Sequence, residues 1–476
     1  MPDGVSVPQY DRSALTPGIV HIGLGNFHRA HQAWYLHRLM QAGKVQDWAI
    51  IGAGVRATDA AMRDRLLAQD CLTTLIEVDP ESSATEITGA MIDFLPVEDA
   101  NGALIRAMSD PAIRIVAMTV TEGGYYRDAS GNLDTDHPDI IHDAAHPDSP
   151  RTAFGAIVAA YKARRASGVV PFTGQCCDNL QHNGDVLRAT VVGLARMSDP
   201  ELAAWIDTNA AFPNAMVDCI VPATGPGELA YVQSLGIDDA APVTHEHFRQ
   251  WVIEDDFCAG RPPWEEAGAT LTDQVHLYET MKIRMLNAGH QVLANVGELL
   301  SVPTIAACMA DPDIAAFFRK VEADEIAPHV AAVPEMTPVQ YLNLITRRFA
   351  NPKIHDTTRR VAFDGSSRHA GFVLPILRDA LHANGQIEGL ALAEALWARM
   401  CAGTREDGSE IAANDPNWDR LSAHAWQAKE NPQVWLDQTS VYGSLGDDTR
   451  FAEAFAAKLR QVWDEGCRAA IRSYVA

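Results

Sequence analysis

Basic residues are scarce, cysteine pairs are missing, and no long apolar run interrupts the chain. The 38 lysines and arginines face 62 aspartates and glutamates, a formal net charge of −24. So acidic a chain repels nucleic acid and anionic membrane surfaces, and neither is expected as a partner. No stretch reaches the ~20 uninterrupted apolar residues of a membrane span. The nearest, residues 292–310, is broken by Glu298 and Pro303. The opening Met1-Pro2-Asp3-Gly4 has neither a basic region nor an apolar signal core, so a cytoplasmic location is expected. The eight cysteines form no C-x-x-C pair, and the adjacent Cys176 and Cys177 are poorly placed to bridge each other. Reduced, mostly buried thiols fit that compartment. There is no internal repeat, P-loop or G-x-S-x-G elbow, which excludes the architectures and chemistries those signals announce. His28 with His31, and His245 with His247, come in pairs, yet no cluster offers three or four ligands at zinc spacing; no metal is expected.

The 476 residues are enough for two or three domains. In the first half, β-rich runs at 18–22, 48–51, 113–120 and 169–173 alternate with helical patterns at 27–41, 58–68 and 154–167. That alternation predicts βαβ units and a parallel sheet. Past Arg261-Pro262-Pro263-Trp264, helical patterns take over at 273–300, 313–332, 339–348, 371–383 and 390–401, with tail helices at 431–439 and 449–474. The expected class is therefore α/β: a parallel-sheet domain over 1–270, then a mainly α-helical domain over 271–476.

The first strand runs into Gly23-Leu24-Gly25-Asn26-Phe27-His28 and then directly into a helix. A strand–glycine turn–helix is the setting in which backbone N–H groups and a helix N-terminus hold a pyrophosphate. Gly23 permits the tight turn and Gly25 the close approach, but His28 stands where the G-x-G-x-x-G fingerprint has its third glycine. An ordinary βα turn is the plain alternative. With its place at the chain's start, the unit points to a Rossmann-type dinucleotide-binding domain. Beyond the second strand, Asp59 would grip a ribose hydroxyl of NAD, while Arg56 would suit a 2′-phosphate; both cofactors stay open at this point.

The most informative segment is Tyr278-Glu279-Thr280-Met281-Lys282-Ile283-Arg284-Met285-Leu286-Asn287-Ala288-Gly289-His290. At about 100° per residue, with Lys282 at zero, Glu279 falls near ~60°, His290 near ~80° and Asn287 near ~140°. Four polar groups thus share one arc of an otherwise apolar helix, which predicts a buried functional face rather than a solvated stripe. A lysine in a dry setting holds its proton less tightly, as a general base must. The spacing Tyr278-x-x-x-Lys282 also matches the Tyr/Lys pair of short-chain dehydrogenases, but lies far beyond the glycine loop. Two further segments offer polar groups: Asn179, just after a strand, and Asp218, alone in an apolar run. Asn179 also suits an Asx turn. Arg360 and Arg368 lie in a basic turn segment whose default reading is surface charge.

The segments 19–31, Thr121-Glu122-Gly123-Gly124-Tyr125, Cys177-Asp178-Asn179 and 282–290 together resemble the polyol-specific long-chain dehydrogenase family, over nearly the whole chain. The resemblance implies a metal-independent oxidoreductase using NAD, with its site between a Rossmann domain and a helical domain. It implies hydride transfer interconverting D-mannitol and D-fructose, with sorbitol and arabinitol as further polyols. By matched position, Lys282 resembles the general acid/base, and Asn179 and Asn287 the amide pair at the reacting oxygen. His290 resembles the substrate-orienting residue, and Glu279 the gate for the Lys282 proton. Asp218, Arg360 and Arg368 fall at substrate-hydroxyl positions, and Gly23, Gly25, Asn26, Phe27 and Asp59 at cofactor positions. The family's Val-Asp-Arg-Ile reads Val217-Asp218-Cys219-Ile220 here, which removes a local cation. Hexuronate reduction, as of fructuronate or tagaturonate, is the alternative within the family, and a non-catalytic dinucleotide sensor the alternative outside enzymes. The expected partner is a small polyol or ketose, and both a monomer and a small homo-oligomer remain open.

Overall fold

The computed structural model describes residues 4–128 and 131–476. The chain divides into two compact units, 1–276 and 277–476. Among the described residues of the first unit, twelve strands form three sheets. A four-stranded mixed sheet runs β1 (Val5–Ser6), β5 (Ser83–Thr88), β4 (Thr73–Val78), β10 (Val243–Glu246). A three-stranded one runs β12 (Thr270–Leu271), β11 (Gln250–Ile253), β9 (Ala215–Asp218).

The central sheet has five strands, all parallel, in the order β6 (Met91–Phe94), β3 (Ala49–Ala53), β2 (Pro17–Ile22), β7 (Ile115–Met118), β8 (Thr173–Cys176). In chain order this is 3-2-1-4-5, the doubly wound order, and its direction switches between β2 and β7. Both faces are covered, so the strands are apolar on both sides. Val20, Ile22, Val116 and Met118 pack with the helices Gly102–Ser109, Ala153–Ser167 and Asn183–Ser198. Ile19, Ile50, Ile115 and Ala117 pack on the other side with the helix Gln32–Gln41 and Trp251. Full burial of such side chains contributes about 1.5–3 kcal/mol each, which fixes the sheet as the frame for the loops at its carboxyl edge.

The second unit is helical. The helix Ala288–Leu299 is buried nearly all round and packs against Glu388–Met400, which packs in turn on Thr449–Glu465.

Several expected elements differ in detail. The strand expected at 169–173 begins instead at Thr173, because Pro171 has no N–H for the ladder. The helix expected at 27–41 breaks at His31 (φ −121°, ψ −90°) into Asn26–Ala30 and Gln32–Gln41. The 449–474 run breaks at Gly466, whose φ of 89° ends one helix and starts Cys467–Val475. Most consequential, the 273–300 pattern is not one α-helix. Val275–Met281 passes into a π-helical turn at Lys282–Asn287 before Ala288–Leu299. Bonds of the i→i+5 type widen that turn, so the 100° wheel does not hold across it, and the angles drawn from Lys282 to Asn287 and His290 are corrected accordingly.

Two buried imidazoles of the first unit are held neutral. Burial pushes His28 down to about 3. It pushes His245 down to about 3 as well, reinforced by the Arg249 guanidinium, whose Nη2 lies 2.8 Å from Nε2. In an unfolded chain both would titrate near ~6.5, so below that pH the unfolded state binds more protons than the folded one. Stability is therefore complete above about pH 6.5 and falls toward pH 4, by up to about 1.4 kcal/mol per pH unit for each ring. The thermal midpoint is expected to be level from pH 8 to 7 and to drop by several degrees at pH 5. A midpoint that does not move would mean that these rings charge in the folded state.

Candidate active site

At the end of β2 the chain turns at Gly23, where φ is +91° and an added Cβ would stand 2.2 Å from the Thr119 carbonyl oxygen. No other residue fits that conformation and that contact. The Gly23 N–H donates to Ala53 (3.0 Å), and its carbonyl accepts from Gly25 N–H (3.0 Å) and from the Thr119 hydroxyl (2.6 Å). Gly25 is different: its φ is −79°, and a Cβ there would meet nothing within 4 Å. That open space lies directly before the helix Asn26–Ala30, whose opening N–H groups have no intrahelical partner. The turn thus fits a dinucleotide pyrophosphate. Asn26 fastens it, its Nδ2 donating to the Pro222 carbonyl (3.2 Å) and the Thr224 hydroxyl (3.0 Å), while Oδ1 accepts from Arg29 (2.7 Å). The Phe27 ring stacks on His31 at 4.9 Å.

Asp59 is placed beyond β3, where Oδ2 accepts from the N–H groups of Val55 (3.0 Å) and Arg56 (2.9 Å). One oxygen of the expected ribose ligand therefore stiffens its own loop.

The organising group at the sheet's carboxyl edge is Asp178, which the sequence reading passed over. Its carboxylate accepts from Val120 N–H (3.0 Å), Thr121 N–H (2.9 Å) and the Tyr125 hydroxyl (2.7 Å). These bonds bind the loop after β7 to the loop after β8. They hold Thr121 at φ 69°, a strained conformation for a β-branched residue. Burial, with the Asp178 and Cys176 charges close by, pushes the Tyr125 phenol up, so it remains a donor. Asn179 follows Asp178 immediately and is exposed at this edge. Asn183 ties the same loop to β9, donating to the Asp178 carbonyl (3.1 Å) and the Ala215 carbonyl (2.6 Å) and accepting from Ala215 N–H (2.8 Å). Asp218 ends β9, buried, with Cys219 buried after it. Through these bonds the glycine turn and the loop bearing Asn179 share one edge of the first unit, and the loop that follows Asp218 meets the turn where Asn26 bonds Pro222 and Thr224. The available signal for Asp178 was a carboxylate among apolar neighbours at a strand end; Thr119 gave none.

In the second unit, Glu279, Lys282 and Asn287 are all buried, on the α-helical turn and the π turn described above. The amide Nδ2 of Asn287 is buried without a hydrogen-bond partner, and so is Nε2 of His290. An unpaired buried donor costs about 1–3 kcal/mol, and such groups survive where a ligand completes them. The His290 ring stacks on Phe349 at 4.2 Å. Burial pushes it down to about 4, with Arg360, Arg348 and Arg368 acting in the same sense and Asp356 against them, so it is a neutral imidazole. Arg360 is exposed and grips Asp356 through two bonds, Nε to Oδ1 at 2.7 Å and Nη2 to Oδ2 at 2.6 Å. Arg368 donates to the Val361 carbonyl at 2.7 Å. Tyr278, the short-chain-type candidate, donates its hydroxyl to the Glu335 carboxylate. Burial and that carboxylate both push its phenol up, and the hydroxyl is committed to Glu335.

A parallel-sheet dinucleotide unit, and a helical unit presenting lysine, amide and neutral imidazole, define an oxidoreductase of the Rossmann type. The mannitol dehydrogenase Rossmann-domain family model matches residues 17–266, and the mannitol dehydrogenase C-terminal-domain model matches residues 274–463. The chain belongs to the mannitol dehydrogenase family. It is 56% identical, over 476 residues and the full length of both chains, to a mannitol 2-dehydrogenase of Cereibacter sphaeroides. Among solved structures it is similar to mannitol 2-dehydrogenase of Pseudomonas fluorescens, solved as a ternary complex with NAD and D-mannitol. The TM-score is 0.91 at 38% identity, covering 99% of this chain and 97% of that one. A D-sorbitol dehydrogenase in substrate-free form follows with a TM-score of 0.89 at 34% identity, covering 99% and 98%.

Asp178→Asn tests the clamp, because the new amide would turn an N–H toward N–H donors. The variant is expected to lose about 2–3 kcal/mol of stability in urea denaturation. It should also lose at least tenfold in kcat/KM. Unchanged stability and activity would show that the carboxylate does not hold this edge.

Proposed function

We propose that the protein is an NAD-dependent mannitol 2-dehydrogenase that interconverts D-mannitol and D-fructose, with sorbitol and arabinitol as further polyols. The observation that carries this reading is the set on one helical run: buried Lys282, the unpaired Asn287 amide and the neutral His290 with Nε2 unpaired. On this reading residues 1–270 bind the dinucleotide, through Gly23, Gly25, Asn26, Phe27 and Asp59, and residues 271–476 carry the catalytic groups. The similarity to an enzyme solved with NAD and D-mannitol supports that choice of cofactor and polyol.

The Lys282 amine, in its unprotonated form, removes the proton of the C2 hydroxyl in oxidation and returns it in reduction. Asn287 Nδ2 donates to the same oxygen as its charge develops, and Asn179 supplies the second amide. His290, an uncharged donor or acceptor, orients the substrate hydroxyls without placing a cation against the lysine. Glu279, three residues before Lys282, passes the proton on. NAD, when bound, supplies the acceptor for the hydride. Asp218, Arg360 and Arg368 contact the remaining hydroxyls. Hexuronate reduction requires a cation for the substrate carboxylate, which Arg360 or Arg368 would supply; Arg360 is already engaged twice by Asp356. A cytoplasmic enzyme, as monomer or small homo-oligomer, completes the proposal; no described helix is long and apolar enough to cross a membrane.

Lys282→Ala is expected to lower kcat by about 10²–10⁴ while NADH binding, read by fluorescence, changes little. Asn287→Ala should lower it by about 10²–10³. Tyr278→Phe should remain active within a few-fold. NADH oxidation is expected with fructose and not with fructuronate at equal concentration. An active Lys282→Ala, or turnover of fructuronate in preference to fructose, would overturn the assignment.

A further inference from the structure

The departure of His28 from the glycine fingerprint has a structural counterpart. The His28 ring stacks on that of His21, which lies in β2 two residues before Gly23, with centroids 3.4 Å apart and planes 20° from parallel. His21 Nε2 is 2.9 Å from the Thr119 hydroxyl oxygen, and that oxygen is 2.6 Å from the Gly23 carbonyl. A carbonyl only accepts, so the single hydroxyl proton goes to Gly23, and His21 Nε2 must carry the proton that the hydroxyl accepts. On the other side, Gln32 settles its neighbours. Its Nε2 donates to His31 Nδ1 (3.1 Å), and its Oε1 accepts from His28 Nδ1 (3.2 Å). His31 Nε2 then donates to the Gln250 carbonyl of β11 at 2.9 Å. Each ring has one defined tautomer, and His21, His28 and His31 are all fully buried. The groups facing the stack are thus hydroxyl, carboxamide and carbonyl, apart from the Arg29 guanidinium next to His28 in sequence, itself committed to Asn26 and the Ala241 carbonyl.

We propose that the His21–His28 stack and the Thr119 hydroxyl are the positioning residues of the dinucleotide loop. The stacked rings set the spacing between β2 and the helix Asn26–Ala30, which a third glycine sets in the usual fingerprint. The hydroxyl then pins the Gly23 carbonyl so that the N–H groups following Gly25 face the cofactor. This rests on the glycine turn being the NAD site. None of these side chains needs to touch the cofactor: they act through the backbone of residues 23–27. A glycine at position 28 would restore the sequence fingerprint and remove the spacer.

The test uses the full-length enzyme and two readouts: NADH affinity by fluorescence titration, and amide hydrogen exchange of residues 24–27 without dinucleotide. Thr119→Val is expected to raise the NADH Kd at least tenfold, to raise KM for NAD far more than it lowers kcat, and to speed exchange at 24–27. Thr119→Ser, which keeps the hydroxyl, should restore both readouts to within about twofold of the parent. His21→Phe should match Thr119→Val, and the double variant should be no worse than either single one, because one chain of bonds is cut in each. His28→Gly should weaken NADH binding at least fivefold. The proposal falls if Thr119→Val leaves exchange and affinity unchanged, if Thr119→Ser is as impaired as Thr119→Val, or if His28→Gly tightens binding. Faster exchange in Thr119→Val together with a parent enzyme that does not bind NADH would remove the NAD reading and leave the positioning role standing.

Discussion

Three donors converging on the Asp178 carboxylate are the constraint on which the first unit's chemistry depends. Strand ends in a parallel sheet leave their loops unpaired, and those loops hold a ligand only if something other than the ladder fixes them. Asp178 does this for the loops after β7 and β8 together, through Val120, Thr121 and Tyr125. Charge-assisted bonds of this kind are about twice as strong as neutral ones, enough to hold Thr121 in a backbone conformation that costs roughly 1–3 kcal/mol. From Thr119 in the same loop a further bond reaches the Gly23 carbonyl. The phosphate turn and the edge that bears Asn179 are therefore fixed by one connected set of bonds, not by two independent ones.

In the second unit the corresponding device is a π turn. An α-helix satisfies its backbone and leaves side chains at fixed angles; inserting a turn of i→i+5 bonds re-aims those that follow. Here the inserted turn starts at Lys282 and ends at Asn287, the two residues proposed to handle the proton and the oxygen. Similar turns occur at Glu322–Ile326 and at His369–Val373, the latter directly after Arg368. The core around these turns is large and apolar. Val292, Leu293, Val296, Leu390 and Leu396 are essentially inaccessible to solvent.

Much of this was legible in the sequence, for identifiable reasons. The doubly wound sheet announced itself through apolar runs separated by helical periodicity, and Gly23 through a requirement that only glycine meets. Lys282, Asn287 and His290 stood out because polar groups are rare on an otherwise apolar helix. What escaped was of two kinds, local elements with ordinary signals and groups whose partners lie far along the chain. The hairpin of β4 and β5, closed by the turn at 79–82, carries no signal as strong as the glycine turn. The helix Asn183–Ser198 was overlooked although its periodicity is ordinary. Asp178 looked like a flanking residue because its three donors come from 53 to 58 positions away. The π turn was invisible because residues 282–287 suit an α-helix equally well, and only tertiary packing chooses between the two.

Electrostatics explains why the site tolerates so acidic a chain. A net charge of −24 favours protonated lysines and imidazoles on average, the opposite of what a lysine base with a neutral histidine neighbour requires. Local terms reverse the sign at His290, since burial and the three guanidinium groups of Arg360, Arg348 and Arg368 all disfavour a further positive charge, and Asp356 alone opposes them. Arg360 is itself held in a two-bond ion pair with Asp356. Unpaired buried polar groups such as His290 Nε2 discriminate by hydrogen bonding. Hydrogen-bonding sites reject analogues that leave their buried donors unpaired far more strongly than apolar pockets reject a missing methylene. On the proposed assignment, the unpaired Asn287 amide and His290 nitrogen are the donors and acceptors that a polyhydroxylated substrate would complete.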